Sequence, residues 1–242
     1  MCKRETYKEI ILKDSETENY ELQNNNIVEL IVLKGKEDIS SNCKVDMYMS
    51  KEALIGFGIN VIRLSESFDS RIHIHVDPLG NAYANQSMGF FLTPNSPALV
   101  VECSDEVHDF KRPRMSALKP IRKETQFDSK NFVFRVNLTP EDNEMEHYEI
   151  GFCNICEVNV FEHNIDISSE ATIILKLSRN AMVGIGTQAL RWAHYITEGI
   201  IYECLHEKTF VQQPTMGFWL NDNSASLRIQ IQKMRSASEY SV

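Results

Sequence analysis

The sequence predicts an α+β protein built from two tandem copies of a mostly antiparallel β-sheet, each covered by one amphipathic helix. Residues 20–102 are echoed by residues 148–230 at a constant offset of 128 positions, without a net gap. Short β-branched and aromatic runs bounded by Asn, Asp, Ser and Gly are typical of strands, and one segment in each copy has helical spacing. With one helix to roughly six strands, the helix is expected to cover one face of the sheet.

The duplication is predicted from three matches that share the same offset. They place residues 87–99 opposite 215–227, 49–58 opposite 177–186, and 20–32 opposite 148–160. The first match is the strongest, because Met-Gly-Phe and Asn-Ser recur in it at the same spacing. Three chance matches would not share one offset, and an internal repeat sets the fold.

The predicted strands lie on both sides of the helix in each copy. In the first copy they cover residues 7–13, 27–34, 44–49, 71–76, 88–93 and 98–103. Their counterparts cover residues 132–138, 156–161, 172–177, 199–205, 216–221 and 226–232. The Thr-Pro-Asn-Ser-Pro segment at 93–97 has the residues of a tight turn and predicts a hairpin between the last two strands.

Each helix is predicted to begin after a serine, Ser50 or Ser178, in the position of an N-cap. Its apolar positions fall on one face: Ala53, Leu54, Phe57, Gly58, Val61 and Ile62, and then Ala181, Met182, Ile185, Gly186, Ala189 and Leu190. The Gly-x-Gly pairs at 56–58 and 184–186 lie inside the helices, so their amides are committed to helical hydrogen bonds and cannot form a phosphate loop. We interpret them as sites where helix and sheet approach closely.

These patterns divide the chain into a first α+β repeat (1–107), a basic linker (108–127), a second α+β repeat (128–234) and a tail (235–242). The linker has six basic residues: Lys111, Arg112, Arg114, Lys119, Arg122 and Lys123. The whole chain of 242 residues has a net charge of −9, so the part outside the linker is more acidic than this total suggests. Phosphate binding needs a basic surface, so direct binding of nucleic acid is not expected.

The compartment is predicted from the absence of targeting signals. No apolar run is long enough to span a membrane, and the charged N-terminus lacks the apolar stretch of a secretory signal, which predicts a cytoplasmic protein. The six cysteines stand mostly in apolar surroundings and are expected to be small buried side chains rather than a disulfide framework. They are Cys2, Cys43, Cys103, Cys153, Cys156 and Cys204.

The strongest candidate for a functional site is His73-Ile-His75-Val-Asp77. On a strand these three side chains share one face, as a metal site would require, but the remaining ligands are not visible in the sequence. The corresponding positions of the second copy are Ile201, Glu203 and Leu205, so the fold does not require the first set. A solvated strand face is therefore favoured over a metal site, which stays an alternative.

Two further patterns have ordinary structural interpretations. Cys153 and Cys156 form one Cys-x-x-Cys pair without the second pair that a structural zinc needs. Trp192, His194 and Tyr195 form an aromatic cluster at the end of the second helix, which packing into the core explains better than a partner site.

The segment from strand through Ser-x-x-Ala-Leu-x-Gly-x-Gly helix to His-Ile-His-Val-Asp-Pro-Leu-Gly and Met-Gly-Phe-Phe-Leu-Thr-Pro resembles part of a known family. It is similar to small bacterial α+β immunity proteins of polymorphic-toxin and contact-dependent inhibition systems. The resemblance covers residues 44–103 and, more faintly, 172–230, where the His-x-Asp-Pro element is missing. It implies a non-enzymatic inhibitor that binds a cognate toxin domain and blocks its active site.

We therefore expect a protein-binding module with no catalytic residues and no cofactor. The candidate partner-binding residues are His73, His75, Asp77, Arg63 and Arg191. The expected partner is a toxin domain, with no nucleic acid and no membrane, and the chain is expected to be a monomeric pseudo-dimer or a homodimer. The alternatives are a metal- or small-molecule-binding protein that uses the His73 strand, and a structural pseudo-dimer of unknown role.

Overall fold

The fold is given by a computed structural model, which describes residues 7–11, 27–33, 43–65, 73–80, 88–103, 125–128, 133–138, 155–162, 171–195, 201–204, 219–220 and 224–234. In these ranges the first helix, α1 (Lys51–Ser65), follows β1 (Tyr7–Ile11), β2 (Ile27–Leu33) and β3 (Lys44–Met49). The central strands are β4 (His73–Val76), β5 (Phe91–Leu92), β6 (Ala98–Cys103), β7 (Thr125–Asp128), β8 (Val133–Asn137), β9 (Ile155–Glu162) and β10 (Ala171–Leu177). The second helix, α2 (Arg179–Tyr195), precedes β11 (Ile201–Cys204), β12 (Trp219–Leu220) and β13 (Ser226–Ile231). The α+β class is as predicted.

Both helices begin where the sequence predicts. The Ser50 hydroxyl accepts a hydrogen bond from the backbone N–H of Ala53 at 3.0 Å, and the Ser178 hydroxyl accepts one from Ala181 at 3.2 Å. Each serine satisfies a backbone donor that the first helical turn leaves without a partner. The two predicted N-caps are confirmed. No helix in the described ranges is long and apolar enough to cross a membrane.

The described strands form three sheets. The first five-stranded sheet, sheet I, has the order β11-β13-β3-β2-β5, and the second, sheet II, has the order β12-β9-β10-β6-β4. A three-stranded antiparallel sheet, sheet III, has the order β1-β8-β7. Sheets I and II each combine strands from before and after residue 128, so neither half of the chain completes a five-stranded sheet by itself.

Each five-stranded sheet contains one parallel strand pair that joins the two halves of the chain, and we call this pair the joint of the sheet. The two joints have the same register. In sheet II, Thr172 of β10 lies opposite Ala98 of the parallel strand β6. In sheet I, Lys44 of β3 lies opposite Ser226 of the parallel strand β13. Thr172 lies 128 positions after Lys44, and Ser226 lies 128 positions after Ala98. The two joints therefore pair equivalent residues, but each strand that comes from the first half in one sheet comes from the second half in the other.

Two details of the fold differ from the sequence prediction. The five-stranded sheets are not mostly antiparallel, because parallel and antiparallel pairs alternate across each one. The predicted hairpin of residues 88–93 with 98–103 is also wrong: β5 pairs with β2 in sheet I, whereas β6 pairs with β10 and β4 in sheet II. Local patterns predict pairing between strands that follow each other in the chain, whereas here β5 and β6 lie in different sheets and one partner of β6, β10, comes from the other half.

The short connection between β5 and β6 explains why these two strands lie in different sheets. The backbone N–H of Ser96 donates to the carbonyl oxygen of Thr93 at 3.0 Å, which closes a tight turn. The Ser96 hydroxyl in turn accepts from the N–H of Leu30 at 2.9 Å and contacts the Thr93 hydroxyl at 2.8 Å. The turn is therefore fixed to β2 and cannot be extended without losing these bonds.

A sheet formed from one half alone would need a longer connection. If β6 paired with β3 as β13 does, Ala98 would lie beside Lys44. Ala98 would then be separated from Leu92 of β5 by three strand spacings across the sheet and by five residues along the strands. That distance is about 22 Å, since strands lie about 4.8 Å apart and rise about 3.4 Å per residue. Six residues reach about 21 Å only when fully extended, and these are folded into a turn. The turn thus excludes β6 from the sheet of its own half.

The helices are buried between two apolar clusters. The larger cluster joins the inner faces of sheets I and II to one side of each helix, with Phe57 of α1 and Trp192 of α2 among its members. The smaller cluster joins sheet III to another side through Ile62 of α1 and Leu190 of α2. The prediction of one helix covering one sheet therefore captures only part of the packing, because each helix has sheet on more than one side.

The two helices approach each other closely at Gly58 and Gly186. A Cβ atom added to Gly58 would lie 2.8 Å from the carbonyl oxygen of Gly186, and one added to Gly186 would lie 2.8 Å from that of Gly58. Gly56 meets the backbone of Gly89, which has a φ of 78°. The predicted close approach is present, but its partners are the other helix and the Gly89 turn rather than a sheet. Side chains at these positions would separate the two helices.

Gly58→Ala is expected to lower the free energy of unfolding by about 1–3 kcal/mol, because the added methyl group overpacks the helix contact. In an uncrowded helix interior the same change would raise stability by about 1 kcal/mol. Denaturant unfolding of Gly58→Ala, with Lys51→Ala at an exposed position of the same helix as the control, measures the sign. Stabilisation by Gly58→Ala would contradict the close helix contact.

Candidate functional site

The His73 strand, β4, lies at one edge of sheet II among the described strands. Its side chains alternate: Val76 is fully buried and Ile74 packs against the large apolar cluster, whereas His73 and His75 are exposed. Alternation along a strand places residues i and i+2 on one face. The inward-facing Ile74 and Val76 thus fix both imidazoles on the outer face of the sheet.

The two imidazoles lie against each other. The ring centroids of His73 and His75 are 4.8 Å apart, with an interplanar angle of 70°. This edge-to-face geometry leaves ring edges in solvent on both residues, because both side chains are exposed. The pair can donate and accept hydrogen bonds.

A short row of ionisable residues continues from the imidazole pair across the sheet. Glu102 of β6 lies opposite His73 on one side and opposite Lys176 of β10 on the other. Both side chains are half-buried and alternate with inward-facing residues of their strands, so they share the outer face with His73. Cross-strand neighbours of opposite charge interact favourably. The row places an acid between an imidazole and an ammonium group.

The end of β4 is attached to the other five-stranded sheet. Asp77 is half-buried and follows the strand directly. Next, Pro78 forms a parallel bridge with Leu92 of β5, and the N–H of Leu79 donates to the Leu92 carbonyl oxygen at 3.0 Å. The backbone at Asp77 is thereby held between the edge of sheet II and the edge of sheet I, close to the imidazole pair in the chain.

The second half has the same backbone arrangement with different residues. Ile201 and Glu203 of β11 occupy the places of His73 and His75, opposite Gln230 and Arg228 of β13. The third equivalent position, Leu205, lies outside the described residues. The two edge strands therefore share one register, while their sequences give the first an imidazole pair and the second an aliphatic and an acidic residue.

The arginine candidates lie on the helices. Arg63 of α1 is half-buried, and Arg191 of α2 is only 4% exposed. A partner protein could therefore reach Arg63 in part, but could reach Arg191 only if α2 moved. The structure brings His73 and His75 together and keeps Asp77 next to them in the chain; it places both arginines on other elements.

Several residues with structural interpretations lie as expected, whereas His194 of the predicted aromatic cluster is half-buried rather than in the core. Trp192 is buried in the large apolar cluster, and Cys43, Cys103 and Cys156 are buried. The core interpretation is confirmed for these four side chains. Cys2 and Cys153 lie outside the described residues, as does most of the basic linker, although β7 begins at its end.

Across the described ranges, no three His, Cys, Asp or Glu side chains are grouped so that they could hold a metal ion. His73, His75 and Asp77 would thus need a ligand from elsewhere to complete such a site.

Sequence reasoning missed an ion pair in sheet I. Asp46 of β3 and Arg228 of β13 lie directly opposite each other, and the Arg228 Nε donates to the Asp46 Oδ1 at 2.9 Å. These residues are separated by 182 positions, and no local motif marks either one. The only available signal was their difference from the equivalent positions, Ile174 and Val100.

Comparison with known proteins gives no relative: no protein-family model, curated protein or solved structure matches this chain significantly.

Alanine substitution of both His73 and His75 is expected to change the free energy of unfolding by less than about 0.5 kcal/mol, because both side chains are exposed. Val76→Ala on the same strand should lower it by more than about 1.5 kcal/mol, since it removes two buried methyl groups. Denaturant unfolding compares the two. A large loss in the histidine variant would mean that the imidazoles stabilise the fold and are unsuitable as probes of binding.

Proposed function

We propose that this protein is a non-enzymatic protein-binding module, and that its partner is a toxin domain whose active site it covers, as in the immunity proteins it resembles. The observation that carries the proposal is the exposed imidazole pair of His73 and His75. It stands on an edge strand whose equivalent in the second half has the same register and different residues. A shared backbone register with different residues is the pattern expected where a binding specificity was added to a common scaffold.

The same proposal includes a tandem duplication. Its support is the repetition of individual contacts at the 128-residue offset. The Leu30 N–H donates to the Ser96 hydroxyl, and the Val158 N–H donates to the Ser224 hydroxyl, both across 66 residues. The parallel joints of sheets I and II have equivalent registers as well. A fused pair of copies would account for the exchange of strands, because each copy completes the sheet of the other.

The proposed partner is a basic protein. The chain has a net charge of −9, which would attract a basic toxin domain and raise the rate of encounter. Nucleases that act on phosphate backbones have basic surfaces of this kind. The surface of His73, His75 and Asp77 would then contribute hydrogen bonds and a carboxylate at the contact, where they discriminate between partners.

Capture experiments with the full-length protein test this proposal. The protein is expected to retain one stoichiometric protein partner from a native lysate of its own cells, with a yield that falls as salt rises. The His73→Ala/His75→Ala double variant should lose at least about tenfold in affinity, equivalent to about 1.4 kcal/mol. Lys51→Ala, exposed on α1, is the control and should bind normally.

Two results would contradict the proposal. Failure to retain any stoichiometric protein would remove the binding function, and unchanged binding by the histidine double variant would remove the His73 strand as its surface.

A metal- or small-molecule-binding role is the second candidate function, and the 4.8 Å separation of the imidazole rings favours it. Here, elemental analysis after metal-free purification and add-back should find a stoichiometric transition metal in the native protein but not in His73→Ala. Protein that takes up no metal under these conditions would eliminate the metal-binding form of this alternative.

A further inference from the structure

We infer that the Asp46–Arg228 ion pair determines which halves associate: it makes the first half of the chain accept the second half and reject another copy of the first. The inference rests on the strand pairing and on no assumption about function. Asp46 and Arg228 lie opposite each other at one of two sheet joints that have equivalent registers. We assign to this contact a role in the choice of which strands pair.

The ion pair is bidentate and shielded from solvent. The Arg228 Nε and Nη2 atoms donate to the two carboxylate oxygens of Asp46, and Nη2 also donates to the Tyr48 hydroxyl at 3.2 Å. The Asp46 side chain is 2% exposed and the Arg228 side chain 21% exposed. A bidentate contact of this kind fixes geometry as well as charge.

Only one of the two sheet joints has this pair. In sheet II the equivalent positions are Ile174 of β10 and Val100 of β6, which also lie directly opposite each other. Because the registers of the two joints are equivalent, a charged pair at one corresponds to an apolar pair at the other. The backbone would accept either type of pair at either joint.

Stability alone does not explain the charged pair. An apolar pair of similar volume at a buried site is often as stable or more stable, whereas a buried charge without its partner is strongly unfavourable. The presence of the ion pair at one joint and an apolar pair at the other is therefore informative about which strands may meet.

Pairing between like halves would separate the charges. If β3 paired with β6 of a second copy, Asp46 would face Val100; if β13 paired with β10 of a second copy, Arg228 would face Ile174. Asp46 is the more sensitive of the two, because its other neighbour across the sheet is the apolar Ile31. Arg228, by contrast, also has the hydroxyl of Tyr48 within hydrogen-bond distance and is partly exposed. The pair thus disfavours the association of two first halves most strongly.

Pairing of unlike halves leaves both joints matched. The covalent connection between the halves then favours pairing within one chain, because it raises their effective concentration. The Asp46–Arg228 charges therefore favour pairing of a first half with a second half, and the covalent connection favours pairing of two halves of the same chain.

Charge reversal in the full-length chain tests this role. Asp46→Arg alone places two cations at the joint, and Arg228→Asp alone places two acids there, so each variant should refold poorly as a monomer. When the two variants are mixed before refolding, the first half of each chain can pair with the second half of the other. Opposite charges then meet at both sheet I joints of the resulting heterodimer. Light scattering after gel filtration should detect this heterodimer at a yield at least about tenfold above that of either variant refolded alone.

Two further proteins control for misfolding. The double variant Asp46→Arg/Arg228→Asp restores opposite charges within one chain and should refold as the wild-type species. The exchange Val100→Ile/Ile174→Val at the apolar joint adds no charge and should leave assembly unchanged. Recovery of the wild-type species by the double variant together with heterodimer from the mixture supports the inference.

Several outcomes would overturn it. Single variants that refold to the wild-type species in wild-type yield would show that the charges do not select partners. Failure of the double variant to refold, or a mixture that yields no heterodimer, would show that the pair serves local packing rather than partner selection.

Discussion

The parallel pairing of β3 with β13 and of β6 with β10 is the constraint on which the other features depend. These two joints carry each five-stranded sheet across the division between the halves. The Thr93–Ser96 turn keeps β6 away from its own half, so the joints cannot be replaced by local pairing. Once the sheets are joined, the two helices must lie together, and only glycine at positions 58 and 186 permits their close approach.

The sequence was sufficient for features whose partners are local. Ser50 and Ser178 act on amides three residues away, so their pattern alone identified them. The turn at 93–97 was recognised as a turn, but a turn motif does not specify whether the strands it connects share a sheet. The partner of Gly58 was likewise set by the tertiary packing of α2, which no helical pattern encodes.

The candidate site was predictable in its geometry and less so in its surroundings. Period-two alternation correctly placed His73 and His75 on one face, because β4 has its apolar residues between them. The neighbouring Glu102 and Lys176 come from strands far apart in sequence, and their positions required the joint between β6 and β10. Burial of Arg191 depends on packing around α2, which distinguishes it from the half-buried Arg63 at the equivalent position.

The joint between β3 and β13 also orders events during protein synthesis. Arg228 is translated 182 residues after Asp46, which corresponds to roughly 10–35 s at about 5–20 residues per second. Throughout that interval the nascent chain has β3 without β13, its neighbour in sheet I. A strand edge of that kind is open to β-pairing with other chains on crowded ribosomes. The Asp46 carboxylate at its centre would make such an edge a poor template for apolar strands until β13 emerges.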